Sequence, residues 1–224
     1  MTFSMVGRCN NTGEVGAIVS SSSICVASRC AFVRTGVGAA LSQSVTDPRL
    51  GPDVLDALEA GCSASDALDR VIAVAQHVRW RQLLAIGLSG VGAVYSGQMV
   101  LGRYAAALGT DCVSAGNLLA NERVPAAMIE TFEKTSGTLA ERLLTALESG
   151  LEAGGETGPV HSAGLMVAGR VAWPHVDLRV DWSVEPVKGL RDCWREYAPQ
   201  LETYLKRAED PDSLPSDAVP GNTL

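Results

Sequence analysis

The chain opens with TFSMVGRCNNTGEVGAIVSS, residues 2–21. In residues 2–9 the side chains alternate, with Phe3 and Met5 pointing one way and Thr2 and Ser4 the other, which is typical of a strand. The next four residues, NNTG, form a turn cluster, and EVGAIVSS (14–21) returns as a second strand. The sequence therefore predicts an antiparallel hairpin that begins at the second residue, although chain ends normally fray.

Beyond this hairpin, predicted strands alternate with pairs of helices. The predicted strands are 36–43, 81–88, 93–97, 112–119, 162–168 and 176–182. The predicted helices are 52–60, a helix opening at Ser63 with Asp66, one near Pro125, one opening at Thr138 with Glu141, and 185–207 with a kink at Pro199. This order predicts an α+β fold of two mostly antiparallel sheets whose outer faces are covered by helix pairs. It also predicts one domain over residues 1–207 and an acidic, proline-containing tail over 208–224.

Composition and charge exclude several classes of protein. The 224 residues carry 18 Lys and Arg against 25 Asp and Glu, a net charge of −7. Since the sequence contains no run of basic residues that could follow a phosphate backbone, we do not expect a nucleic-acid partner. The sequence has no window of eighteen consecutive apolar residues and no signal peptide, so we expect no membrane association and a cytoplasmic location. Six scattered cysteines are expected to be reduced thiols.

Common cofactor motifs are absent from the sequence. GVGAAL (36–41) and GVGAVY (90–95) begin like dinucleotide fingerprints but lack the third glycine, and there is no GxxxxGK[ST] loop. The three histidines, His77, His161 and His175, have no metal-ligand spacing with the cysteines. We therefore expect neither a metal nor an organic cofactor.

Thr2 is the most informative residue for chemistry. Removal of Met1 is the expected processing when the second residue is as small as threonine, and it leaves a hydroxyl beside a free α-amine. An α-amino group has a pKa of about 7.7–8.0, so part of it is neutral near pH 7 and can act as a general base. One residue then supplies both nucleophile and base, the N-terminal threonine variant of the catalytic triad.

The sequence resembles a widespread bacterial family catalogued as a domain of unknown function, whose members open Thr-Phe-Ser after Met and whose fold is classed as Ntn-hydrolase-like. The resemblance rests on residues 1–23, TGVGAALSQSVTDPRLGP (35–52), Arg81-Gln82 and five further segments. Those segments are GNLLAN (116–121), PAAM (125–128), LAERLLTALESGLEAGGE (139–156), GPVHSAGL (158–165) and VDLRVDW (176–182). It implies a four-layer αββα sandwich in which an N-terminal Thr, Ser or Cys attacks amide carbonyls.

The resemblance also implies catalytic roles for individual positions. Thr2 matches the nucleophile, and Ser21, at the end of the second strand, would orient its amine or hydroxyl. Gly116 and Asn117, at a strand break, suit an oxyanion donor, in which the glycine lets the backbone approach and either the Asn117 amide or a backbone N–H donates. Asp177 would orient the α-ammonium. Many members have Lys at the position of Ser22, and its absence here removes a cation that would lower the pKa of the nucleophile.

Five other residues are candidates for substrate binding. Arg81 and Arg179 would clamp a substrate carboxylate, or form salt bridges such as Arg179 with Asp177 or Asp181. Gln43 and Ser162 would line the pocket, or satisfy backbone groups. His161 stands between a glycine-rich loop and a strand of small residues, in surroundings that suggest either a site or a structural role.

These residues lead to one main prediction and two alternatives. The main prediction is an N-terminal-nucleophile amidohydrolase that cleaves a small, carboxylate-bearing amide without a cofactor. The first alternative is a non-catalytic ligand-binding or scaffold protein on the same fold. The second is a serine or cysteine hydrolase that uses His161 with Ser162 or Cys30. A homodimer or higher homo-oligomer is also predicted, from the aromatic pair Trp194 and Tyr197 on the last helix.

Overall fold

Two antiparallel sheets form the centre of the protein, for which a computed structural model describes residues 2–213. The six-stranded sheet has the order β10-β9-β2-β1-β8-β7 and the four-stranded sheet the order β3-β4-β5-β6, where the strands are numbered along the chain. The strands are β1 Thr2–Cys9, β2 Glu14–Ser21, β3 Ala31–Arg34, β4 Gly38–Ser44, β5 Arg81–Gly87, β6 Ala93–Ser96, β7 Ala105–Leu108, β8 Cys112–Asn117, β9 Ser162–Ala168 and β10 Val176–Val180. Every pairing of neighbouring strands is antiparallel.

Helices cover the outer face of each sheet. Along the chain the helices are α1 Val26–Cys30, α2 Leu50–Glu59, α3 Ala64–Val74, α4 Val124–Lys134, α5 Leu139–Glu152, α6 Pro186–Tyr197 and α7 Leu201–Glu209. The short α1 is the exception, because its buried residues belong to the apolar cluster between the two sheets. One apolar cluster joins α4, α5 and α6 to the six-stranded sheet, and another joins α2 and α3 to the four-stranded sheet. A third cluster fills the space between the two sheets. These layers confirm the predicted αββα sandwich.

The alternation in β1 decides which residues face the second sheet. Phe3 and Met5 are buried in the cluster beneath α4 and α5. Val6 lies in the cluster between the sheets, and the Ser4 hydroxyl reaches across to Gln43 of β4. Thr2 has the same parity as Ser4, so its side chain also faces the space between the sheets.

The last predicted helix is interrupted where its kink was predicted, at Pro199. The predicted helix over 185–207 is divided into α6 and α7 by a 3-10 turn, Ala198–Gln200, because Pro199 lacks the N–H that a continuous helix needs. Helix α7 ends at Glu209, beyond the predicted domain boundary at 207, and most of the predicted tail lies outside the described residues. Sequence reasoning also missed α1, β3 and β7.

The aromatic pair of α6 packs within the chain. The indole Nε1 of Trp194 donates to Glu141 at 2.8 Å, and the hydroxyl of Tyr197 donates to the carbonyl oxygen of His175 at 2.8 Å. These two residues therefore do not provide the surface from which a homo-oligomer was predicted. The homo-oligomer itself stays a prediction. Between residues 2 and 213, no helix combines the length and the apolar content that crossing a bilayer requires.

Candidate active site

Four buried polar residues form a row across the four central strands of the six-stranded sheet, at one end of those strands. Thr2 is opposite Asn117 on one side, and because Phe3 is opposite Ser20, Thr2 is next to Ser21 on the other. Ser21 in turn is opposite Ser162. All four side chains face the second sheet, and each is buried. The structure thus brings together four residues that the sequence singled out separately.

The second sheet contributes two buried glutamines to this end of the sandwich. Gln43 and Gln82 are cross-strand partners in β4 and β5. The Ser4 hydroxyl donates to Gln43 Oε1 at 2.7 Å, and Gln43 Nε2 donates to Gln82 Oε1 at 2.8 Å. Asn117 Nδ2 also donates to Gln82 Oε1, at 3.2 Å. Gln43 is therefore part of a polar network that links the two sheets beside Thr2.

The direction of these hydrogen bonds determines what Asn117 offers to the site. Gln82 Nε2 donates to the carbonyl oxygen of Gly116 at 3.3 Å, and since a carbonyl only accepts, this fixes Gln82 Oε1 as the acceptor for Asn117. The Asn117 Nδ2 is thereby used, and its Oδ1 is buried with no hydrogen-bond partner in the described part of the chain. The structure therefore does not support the side-chain amide of Asn117 as an oxyanion donor, and a donor role of its backbone N–H stays a prediction. Its side chain presents an acceptor.

Gly116 has a packing role. It is opposite Phe3, so it lies on the helix-covered side of the sheet. A Cβ at this position would come within 2.5 Å of the Leu119 side chain and 3.0 Å of the Thr2 carbonyl oxygen. The glycine therefore allows close packing beneath Thr2, and the predicted oxyanion role finds no support here either.

Sequence reasoning missed Glu156, a carboxylate that lies beyond the start of β1. Both of its carboxylate oxygens accept from the Ser22 backbone N–H, at 3.1 and 3.3 Å, and its backbone forms a bridge with Leu119. Ser22 follows β2 and Leu119 follows β8, the two strands that flank β1. Because both neighbours run antiparallel to β1, these residues extend past its first residue. Glu156 is therefore placed at the nitrogen end of Thr2.

The surroundings of Glu156 make it titrate near neutrality. Burial raises the pKa of its carboxyl group to about 7, while the positive charge of the chain's amino terminus and the hydrogen bond from Ser22 act in the opposite direction. The only signal in the sequence is an acidic residue after Gly154 and Gly155, whose φ angles of 123° and 55° favour glycine. That signal is weak, because acidic residues in glycine-rich loops are common.

Three predicted residues lie away from Thr2. Arg81 precedes Gln82 in β5 and so faces the opposite side of the sheet, where it donates to the Val45 carbonyl oxygen. Arg179 lies on the edge strand β10, 3.7 Å from Asp181, which is the salt-bridge alternative. Asp177 is exposed and opposite Met166, four positions along β9 from Ser162. Neither the carboxylate clamp nor the predicted contact of Asp177 with the α-ammonium is formed, because these side chains belong to other faces or rows.

His161 and Ser162 stabilise the loops around the site. His161 Nδ1 lies 3.1 Å from the Ser183 carbonyl oxygen, and its ring stacks on Trp182 with centroids 4.5 Å apart. The Ser162 hydroxyl donates to the Ser23 carbonyl oxygen at 2.6 Å and accepts from the Val26 N–H at 3.2 Å. Neither interaction is a nucleophile–base pair, so the alternative of a serine hydrolase is not supported.

The other nucleophile of that alternative, Cys30, is unsuited to the role. Its side chain is buried, and burial raises the pKa of its thiol. A thiol with a raised pKa is a poor nucleophile because the thiolate is the reactive form.

Unusual backbone conformations collect around Thr2. Of the four non-glycine residues with positive φ in residues 2–213, three are Cys25 (54°), Ser44 (71°) and Leu118 (52°). They lie in the segments that leave β2, β4 and β8, close to Ser21, Gln43 and Asn117. Such conformations cost free energy and are often retained where they serve function. In the same part of the chain, no group of three His, Cys, Asp or Glu side chains is arranged to hold a metal ion.

The fold and this site define a four-layer αββα protein whose first strand starts between the sheets with a threonine, beside a buried carboxylate. The chain belongs to the family of unknown function DUF1028, whose profile matches residues 2–190. A search of curated proteins finds no match.

Solved structures include a similar member of this family. The crystal structure of protein SPO2555 from Silicibacter pomeroyi, also DUF1028, is 27% identical with a TM-score of 0.82, covering 87% of this chain and 85% of that one. Anbu from Hyphomicrobium sp. strain MC1 is 10% identical with a TM-score of 0.43, covering 90% of this chain and 97% of that one. Anbu from Yersinia bercovieri is 12% identical with a TM-score of 0.36 at the same coverages.

Proposed function

We propose that the protein is an N-terminal-nucleophile amidohydrolase in which Thr2, made the first residue by removal of Met1, attacks the carbonyl carbon of a small amide. The observation that carries the proposal is the position of Thr2. It begins a central strand, faces the space between the sheets in a polar row, and has a buried carboxylate at its nitrogen end. A rigid sheet holds this residue where chain ends normally fray.

The proposed reaction needs only groups that Thr2 itself supplies, together with water. The α-amine accepts the hydroxyl proton as Oγ bonds to the amide carbon, and the resulting ammonium returns the proton to the leaving nitrogen as the C–N bond breaks. Water, activated by the same amine, then hydrolyses the ester on Thr2. No metal or organic cofactor takes part in these steps.

The charges near Thr2 modify the predicted substrate. A carboxylate-bearing amide was expected because of Arg81 and Arg179, and both lie away from the row. The described side chains around Thr2 are hydroxyls, the amides of Gln43, Gln82 and Asn117, and the carboxyl group of Glu156. The proposal therefore keeps a small amide as the substrate and favours neutral or cationic amides over anionic ones.

Removal of Met1 is essential to the proposal. In the chain that carries Met1, the nitrogen of Thr2 is an amide and cannot act as a base. Thr2 is also only 4% exposed in that chain. Processing would create the base and open access to the hydroxyl together.

Two substitutions test the role of Thr2. Thr2→Val removes the hydroxyl while keeping the shape of the side chain, and we expect it to abolish hydrolysis of an amide library and acylation of the N-terminal peptide. Thr2→Ser keeps the hydroxyl and should retain activity. The measurements are release of amine and the mass of the N-terminal peptide, after mass spectrometry has verified that each variant lacks Met1.

Thr12→Val, in the exposed β1–β2 turn, is the matched control and should leave turnover unchanged. Turnover that survives Thr2→Val would contradict the proposal. So would retention of Met1 in protein purified from its own host, which instead favours the ligand-binding or scaffold alternative.

A further inference from the structure

We propose that the carboxylate of Glu156, together with Oδ1 of Asn117, holds the α-ammonium that Met1 removal creates at Thr2, and so acts as the positioning residue for the catalytic base. This inference rests on the proposed function, because it assigns the partners of the amine that function requires. It also gives a role to Asn117 Oδ1, which is buried without a partner among the described residues, and to the buried carboxylate of Glu156, which accepts from the Ser22 N–H.

The first support is the placement of the two acceptors around the first residue of β1. Asn117 is the cross-strand partner of Thr2 in β8. Glu156 contacts the other flank through the Ser22 N–H at 3.1 Å and bridges back to the β8 side at Leu119. One acceptor therefore lies beside Thr2 and the other just beyond its nitrogen end.

The second support is the number of donors that these acceptors need. Asn117 Oδ1 is buried without a partner in the described residues, and Glu156, which is 5% exposed, receives from one backbone N–H of Ser22. An unpaired buried acceptor costs free energy, and an unpaired buried carboxylate costs more. A peptide nitrogen offers at most one donor, whereas a primary ammonium offers three. Conversion of the Thr2 nitrogen from amide to ammonium would supply a donor for Asn117 Oδ1 and a cation for the Glu156 carboxylate.

The third support is that several other ionisable side chains near this end of the sandwich have partners of their own. His161 Nδ1 lies at the Ser183 carbonyl oxygen, and the Arg103 guanidinium donates to the Ala120 carbonyl oxygen. Arg81 and Asp47 lie behind the second sheet, 4.0 Å apart, and Arg179 is with Asp181 at the sheet edge. In the chain that carries Met1, the positive charge of the amino terminus already lowers the pKa of the Glu156 carboxyl group, and Met1 removal would move that charge to the nitrogen of Thr2.

Glu156 would act on catalysis through the protonation of the amine. When the amine takes the proton of the Thr2 hydroxyl it becomes positively charged, and the carboxylate beside it stabilises that charge as it forms. The same attraction raises the pKa of the α-amine. Removal of the carboxylate should therefore lower kcat and move the acid limb of the pH–rate profile to lower pH.

A titration of the α-amine tests this inference without requiring turnover. Processed protein is labelled with acetic anhydride over a range of pH, and the rate of acetylation of the N-terminal peptide gives the pKa of its α-amine. We expect Glu156→Gln to lower that pKa by about one unit or more, because it removes a charge within contact distance of the amine. Asp177→Asn is the matched control and should leave the pKa unchanged, since Asp177 is exposed and in another row.

Two results would overturn the inference: an unchanged α-amine pKa in Glu156→Gln, or an equal shift in Asp177→Asn. If Glu156→Gln does not fold, Glu156→Asp replaces it, because it withdraws the carboxylate from the amine while keeping its charge. Glu156→Asp must then lower the pKa of the α-amine, by less than the roughly one unit expected for Glu156→Gln. The proposed function fails separately. Turnover that survives Thr2→Val contradicts the proposed function whatever the titration shows. An unchanged α-amine pKa in Glu156→Gln leaves Thr2 as the nucleophile and means that another group positions its amine.

Discussion

Glu156 carries a cost of burial that depends on pH. Its folded pKa of about 7 lies above the ordinary glutamate value of 4.5, with desolvation as the main cause. Between these values the folded state binds a proton that the unfolded state has released. Binding of this proton stabilises the folded state. The stabilisation is fully present below about pH 4.5, is lost as the pH rises towards 7, and stays lost at higher pH.

Glu156→Gln should remove this dependence in protein that retains Met1. At pH 8 we expect the variant to be more stable than the parent by about 1–3 kcal/mol, since one pKa unit corresponds to about 1.4 kcal/mol. At pH 4.5 the two should unfold at the same urea concentration. The measurement is urea unfolding at both pH values, with Asp177→Asn as the control. Equal stability of Glu156→Gln and the parent at pH 8 would contradict the expectation.

Single residues of the site differed in how far they could be predicted. Thr2 and Ser21 follow from the alternation and the turn of one hairpin, which is local information. Glu156 does not, because it lies 134 positions from the Ser22 N–H that it binds, and no periodicity marks it. The role of Asn117 depended on the direction of a hydrogen-bond network, which no sequence pattern contains.

At the scale of elements, the helix starts show what a motif can and cannot predict. Thr138 caps α5 as predicted, because its hydroxyl accepts from the Glu141 N–H at 3.2 Å. The Glu141 carboxylate, however, contacts Arg191 at 2.6 Å and the Trp194 indole at 2.8 Å, and so joins α5 to α6. A sequence motif identified the cap, but the tertiary contact required the position of α6.

Two substitutions in α5 should therefore have unequal effects. Thr138→Ala removes the cap and should cost about 1 kcal/mol. Glu141→Ala should cost more, about 1–3 kcal/mol, since it leaves the Trp194 Nε1 and the largely buried Arg191 each without one partner. Chemical denaturation measures both, and Glu130→Ala, on the exposed face of α4, should be nearly neutral. A nearly neutral Glu141→Ala would show that the contact with α6 contributes no stability.

Patterns of alternation and helical period predicted most elements because each has one buried face. Strand β7, Ala105–Leu108, was missed because AAAL has no alternation and the strand is stabilised by pairing with β8. The short α1 and β3 were missed because five- and four-residue segments give too few repeats of either period. Both strands pair with the next strand along the chain, β8 and β4, yet neither has a residue pattern of its own that marks the pairing.

For the whole molecule, the space between the sheets has two regions. Away from Thr2 it is filled by apolar side chains such as Val6, Leu41 and Leu84. At the Thr2 end, glutamines and serines replace them, and hydrogen bonds between amides connect the sheets. A buried polar network is favourable only when its members are satisfied, so its presence here points to a constraint other than packing.

Gln82 is the residue on which this network depends, since its Oε1 accepts from both Gln43 and Asn117. Gln82→Met keeps the length of the side chain but leaves the Asn117 amide donor unpaired and weakens the link between the sheets. We expect a loss of about 2–4 kcal/mol in urea unfolding, because unsatisfied buried donors cost about 1–3 kcal/mol each. Gln98→Met, at an exposed position, is the control and should be nearly neutral. The double variant Gln82→Met, Gln43→Met should lose less free energy of unfolding than the sum of the two single variants. Gln82→Met leaves the Gln43 amide donor without its closest acceptor, and Gln43→Met then removes that unpaired donor. Full additivity would mean that the glutamines contribute separately and that no network joins the two sheets at the site.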